Sequence, residues 1–144
     1  MKLVIQRVTA ASVAVNQQII GQIGHGYLVL LGVGKDDTEQ TAEKLAQKLI
    51  KLRIFADADG KTNLSIKDIN GEILVISQFT LYADCKSNRP GFTNAGKPEL
   101  ARHLYEYFIN LLKPEVKSVQ HGEFGADMQV QLCNDGPFTI LLEY

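Results

Sequence analysis

The chain has 144 residues, 45% apolar and 22% charged, with a formal net charge of −1. That length suits one domain, which buries roughly two-thirds of its unfolded surface and needs no staples. The near-neutral charge argues against a protein that grips long nucleic acid by its backbone. No apolar run reaches the roughly 18 residues of a spanning helix.

Taken in chain order, "LVIQRVTAASVAV" is β-branched and partly alternating, which predicts a strand with Arg7 on one face. The same pattern does not read as a secretion signal. "NQQIIGQIG" carries turn residues and predicts the end of a hairpin. "GYLVLLGVG", Gly26 to Gly34, is a continuous apolar run of the kind buried on both faces of a sheet. From Thr38 to Lys51, Ala42, Leu45, Ala46, Leu49 and Ile50 recur at helical spacing. Acids stand near the start of that helix and Lys48 and Lys51 near its end, as the helix dipole favours.

"RIFADADGKTNLSI" predicts a turn at Asp59-Gly60. "GEILVISQFTLYA", Gly71 to Ala83, is the strongest strand pattern in the chain. It runs into "DCKSNRPGFTNAGKP", a polar loop whose length of about fifteen residues marks function or mobility. Pro98 opens a second helix with Leu100, Leu104, Tyr107, Phe108 and Leu111 on one face. Strands close the chain. Within them "NDGPFT", Asn134 to Thr139, predicts a turn between "MQVQLC" and "TILLEY". This order implies a single α+β domain over residues 1–144: a curved mixed or antiparallel, barrel-like sheet with two main helices packed on it.

The chemistry-bearing residues are few. His25, His103 and His121 show no metal-ligand spacing, so no metal and no cofactor is expected. Cys85 and Cys133 lie far apart and read as reduced thiols of a cytoplasmic protein. Ser77 and Thr80 end the strongest strand, where a hydroxyl beside a base is a nucleophile. "ISQFT" is not a nucleophile elbow, however, and composition and spacing favour hydroxyls bonded to backbone. Gln78 and Phe79 divide evenly between contacts to a base and plain strand-end packing. Strand ends that open into long loops are common places for sites. Two basic stretches, Lys86–Arg102 and Lys44–Arg53, read as solvated faces when taken alone.

Together these stretches resemble the D-aminoacyl-tRNA deacylases. "VIQRVTAASV", "GYLVLLGV", "RIFADADGKTNLS", "SQFTLYAD", "NRPGF" and "NDGPFT" occur in that family's order and spacing, across essentially the whole chain. "SQFTL" and N-x-G-P-x-T, here Asn134, Gly136, Pro137 and Thr139, are its two signatures. The resemblance implies a homodimer that hydrolyses the ester joining a D-amino acid, or glycine, to the acceptor end of tRNA. It implies that Gly136-Pro137 is a cis peptide that enters the partner subunit's pocket and excludes L-amino acids. It implies catalysis by the tRNA 2′-OH with backbone N–H groups near Phe79 and Thr80, and without a metal. Ser77, Gln78, Phe79 and Thr80 are then the catalytic stretch, Gly136 and Pro137 the chirality filter, and Arg7, Asn134 and Thr139 its supports. Two other readings stay open: an RNA-end or nucleotide-binding module without turnover, and a small esterase using Ser77 or Thr80.

Overall fold

The computed structural model describes all 144 residues. Strands β1 (Lys2–Val15) and β2 (Gln18–Ile23) form a hairpin. The turn residues Asn16 and Gln17 both have positive φ, 49° and 65°, the twist that a two-residue hairpin loop requires. β3 (Gly26–Gly32) pairs antiparallel with the first half of β1 and parallel with β6 (Glu72–Ser77). β7 (Ser118–His121) extends the sheet beyond β6, and β8 (Gln129–Glu143) runs antiparallel along nearly all of β1. A separate small hairpin joins β4 (Arg53–Ala56) and β5 (Thr62–Ser65) across the predicted Asp59-Gly60 turn.

The sheet curls until β2 lies over β7. An added Cβ on Gly21 of β2 would stand 3.1 Å from the His121 carbonyl of β7. Val8, Ala11, Val13, Ile23, Leu28 and Leu74 fill the inside of this nearly closed barrel. The outer face carries the larger core. There Leu3, Ile5, Tyr27, Val29 and Leu31 meet helices α1 (Glu39–Lys51) and α2 (Pro98–Leu112). The alternation of β3 thus serves two cores, which is why its sequence is apolar without a break. Thr38 caps α1, accepting from the Thr41 N–H at 3.4 Å, and Pro98 stands in the first turn of α2, where no donor is missed. Neither helix is long and apolar enough to cross a membrane.

Three expectations need correction. The buried stripe of α2 is Ala101, Leu104, Tyr105, Phe108, Ile109 and Leu112, whereas Leu100, Tyr107 and Leu111 are only partly buried. Tyr105 turns inward because its hydroxyl finds the carbonyls of Val75 at 2.9 Å and Gly122 at 3.2 Å. Burial holds that phenol well above its ordinary pKa, so it stays a donor. The strongest strand is shorter than its pattern. β6 stops at Ser77, and Phe79–Tyr82 form one 3-10 turn. The third correction concerns "NDGPFT", which does not reverse the chain at all: it lies inside the single strand β8.

Candidate active site

The end of β6 is set by its last ladder bond, from the Gln78 N–H to the Leu31 carbonyl at 2.7 Å. The chain then winds into the 3-10 turn, closed by the Ala83 N–H on the Thr80 carbonyl at 3.0 Å. The N–H groups of Phe79 and Thr80 open that turn, where no earlier carbonyl of the helix reaches them. Gly32 lets the turn lie close against β3, since a Cβ there would stand 3.0 Å from Leu81.

Ser77, Gln78 and Phe79 line a cavity of about 550 Å³. Its floor is Val33, Ile76 and Val130. Its walls are the loop end at Ala95 and Gly96, the first turn of α2, and the segment Phe124–Met128. The volume lies within the range of small-molecule sites, and the lining is mainly apolar. Tyr105 braces one wall by tying Gly122 to β6.

The hydroxyls of this stretch have no base. Thr80 Oγ1 accepts from the Gln78 side-chain amide at 2.5 Å, and an amide cannot take up its proton. The three histidines are engaged elsewhere or absent from the lining: His103 bonds Glu39 and His121 bonds the Gly122 carbonyl. No three His, Cys, Asp or Glu side chains gather as metal ligands. Asp127 is the one carboxylate on the wall, and it bonds neither Ser77 nor Thr80.

The second signature is built differently. Val8 of β1 faces Asn134, and Gln6 faces Thr139. Two steps along β1 therefore match five along β8, and the surplus is pushed out as a wide bulge. The Asn134 side chain ties its neck: Oδ1 accepts from the Phe138 N–H at 2.6 Å, and Nδ2 donates to Thr139 Oγ1 at 3.0 Å. Arg7 backs the bulge from β1. Its Nε donates to the Asp135 carbonyl at 2.9 Å, Nη1 donates to the Ile54 carbonyl at 2.6 Å, and the guanidinium lies 4.6 Å from the Phe138 ring centre. At the tip, Gly136 and Pro137 are exposed and joined by a cis peptide. Gly136 has φ +145°, and an added Cβ would meet the Phe138 nitrogen at 3.0 Å and Arg7 Nη2 at 3.2 Å.

The fold thus gathers Ser77, Gln78 and Phe79 at one cavity, with Thr80 beside it. It gathers Arg7, Asn134, Gly136, Pro137 and Thr139 at the bulge, and none of these five lines the cavity. The sequence reading missed Phe124, Asp127 and Met128. Their signal was faint: an aromatic between Gly122 and Gly125 in a short loop before β8.

A family model described as D-Tyr-tRNA(Tyr) deacylase matches residues 4–143. The D-aminoacyl-tRNA deacylase of Thermotoga petrophila is 55% identical over 99% of this chain and 97% of its own length. That of Thermosipho africanus is 54% identical with the same coverage. Among solved structures, a c-Myc DNA unwinding element binding protein superposes with a TM-score of 0.94 at 44% identity, over 100% of this chain and 99% of its own. A probable eukaryotic D-amino acid tRNA deacylase shares the fold, with a TM-score of 0.88 at 16% identity over 98% and 97% of the two chains. The chain belongs to the D-aminoacyl-tRNA deacylase family of ester hydrolases.

Proposed function

We propose that this protein hydrolyses the ester between a D-amino acid and the terminal ribose of tRNA, and that it acts as a homodimer in the cytoplasm. The observation that carries this reading is the division of the site. The cavity at Ser77, Gln78 and Phe79 takes the terminal adenosine, and no group of its own subunit discriminates the substrate's chiral centre. The partner subunit's Gly136 and Pro137 supply that group. The exposed main chain at the bulge tip meets the substrate Cα on one side, where only hydrogen fits. An L-side chain has to occupy that side and collides, whereas a D-side chain points away. Selection is by exclusion, so it tolerates many D-amino acids. Glycine presents only hydrogen on either side and passes the same filter.

Catalysis follows from what surrounds the ester. With no base at Ser77 or Thr80, the attacking water is activated by the substrate's own vicinal 2′-OH. The backbone N–H groups of Phe79 and Thr80 receive the negative charge that develops on the carbonyl oxygen. Arg7, Asn134 and Thr139 act at a distance, by fixing the bulge that the partner receives. Exposed Leu132 and Leu141 on β8, with Tyr144 just beyond it, give this edge an apolar surface for a second copy.

A second reading, nucleic-acid binding without turnover, is favoured by the likeness to a c-Myc DNA unwinding element binding protein at 44% identity. A purified sample offered D-Tyr-tRNA, L-Tyr-tRNA and Gly-tRNA side by side separates the two. The deacylase reading expects rapid loss of the D-Tyr and Gly esters and an intact L-Tyr ester. Three intact esters leave the binding module.

A further inference from the structure

The structure leaves two large aromatic rings side by side in solvent at the cavity mouth. Phe79 is 54% exposed and Phe92 is 37% exposed, with ring centres 4.9 Å apart at an interplanar angle of 63°. Phe79 lines the cavity and Phe92 does not. Phe92 belongs to no core cluster, so burial does not explain it. Its loop is nonetheless firmly held. Asp84 and Gly91 exchange backbone hydrogen bonds of 2.8 and 2.9 Å just before it. Just after it, the Gly96 N–H reaches the Val33 carbonyl at 2.8 Å, and the Ala95 N–H reaches the Phe92 carbonyl at 3.1 Å. An exposed apolar ring on a pinned loop is preorganised for an occupant.

The charges beside it indicate which kind. Arg89 lies three positions earlier in the same loop, and Lys97 stands between cavity-lining Gly96 and Pro98. Neither joins an ion pair. Aromatic faces interleaved with free cations are the platform that single-stranded nucleic acid stacks on, with phosphates drawn to the cations. We infer that Phe92, backed by Phe79 and flanked by Arg89 and Lys97, stacks the nucleotide that precedes the terminal adenosine of the substrate. Phe92 is then a positioning residue. It fixes the single-stranded end so that the terminal ribose enters the cavity in one orientation. The inference rests on the deacylase reading of the cavity.

Two small esters test it: D-tyrosyl-adenosine, and the same ester on cytidylyl-adenosine. Wild-type protein is expected to prefer the dinucleotide ester in kcat/KM, and Phe92→Ala to reduce that preference about tenfold, as loss of one stacked base does. The change should fall mainly in KM. Phe92→Trp restores the preference, and Phe92→Leu, which keeps bulk without a ring face, does not. If Phe92→Ala lowers cleavage of both esters equally, the residue merely supports the loop and the inference falls, while the deacylase reading stands. An unchanged preference in Phe92→Ala overturns the inference in the same way. Wild-type protein that cleaves neither ester overturns both.

Discussion

The cavity at the end of β6 and the bulge in β8 are opposites. The cavity is concave, assembled from four separate parts of the chain, and open on one side. The bulge is convex, made of consecutive residues, and tied at its neck by Asn134 and from behind by Arg7. The first has room and a mainly apolar lining. The second has a rigid tip, exposed at Gly136 and Pro137 and backed by Arg7. Rigidity at the tip and room in the cavity are what the proposed insertion across a dimer requires. The contrast is what the proposed reading needs: two signatures that form one site only when two copies meet.

The largest expected effect comes from disturbing the tip. In Gly136→Ala the new Cβ meets the Phe138 nitrogen and Arg7, at a φ that L side chains rarely adopt. The tip must shift, and misplacement by about 1 Å costs about 10²-fold in rate. The expected outcome is a fall of that size in D-Tyr-tRNA cleavage, measured as kcat/KM, with an unchanged circular dichroism spectrum. Mixing then sharpens the point. Gly136→Ala and a cavity variant such as Phe79→Ala, each weak alone, recover activity when refolded together, because a mixed dimer contains one intact pairing of tip and cavity. A mixture no better than its parents returns the whole site to a single subunit.

A smaller effect separates the chemistry from the side chains of the cavity. Thr80 has only the Gln78 amide beside its hydroxyl. Thr80→Ala should therefore cost no more than about tenfold, within the range of a lost positioning contact and far below the 10⁴–10⁶ of a lost nucleophile. A substrate ending in 2′-deoxyadenosine, tested beside it, should be cleaved far more slowly. Near-complete loss in a folded Thr80→Ala protein makes Thr80 the nucleophile instead.

Much of the architecture was legible. Both helices, the β1–β2 hairpin and the double-faced β3 follow from periodicity and turn residues, because those signals are local. The errors arose where local signals compete with pairing. "SQFTLY" continues an apolar pattern, yet the ladder ends at the Gln78 N–H, and the chain coils because β3 offers no further partner. "NDGPFT" has every mark of a reversing turn. It bulges instead because β1 is long enough to hold β8 on both sides of it, a fact about Val8 and Gln6 that the hexapeptide does not contain. The inward turn of Tyr105 was hidden likewise, since its two carbonyl partners lie on β6 and in the segment just after β7. Of the site, the signatures were readable and the wall at Phe124–Met128 was not: an apolar wall has no chemical pattern of its own.

The smallest effect tests which of the two regions meets the phosphates. The cations without acid partners near the cavity are Arg89 and Lys97, whereas Arg7 at the bulge is engaged by the Asp135 and Ile54 carbonyls, the Asp135 carboxylate and the Phe138 ring. Each phosphate neutralised on a single strand contributes about 0.7 to the slope of log affinity against log salt. Raising salt should thus weaken tRNA binding, and Arg89→Ala or Lys97→Ala should each flatten that slope by about 0.7. Gly136→Ala should leave the slope where it was, since in the proposed mechanism the tip acts on the ester and not on the backbone of the RNA. Binding measured by fluorescence anisotropy over a salt series reads all three. A slope that is flat from the start, or one that moves with Gly136→Ala alone, would place the nucleic acid on the bulge and invert the division of labour between the two regions.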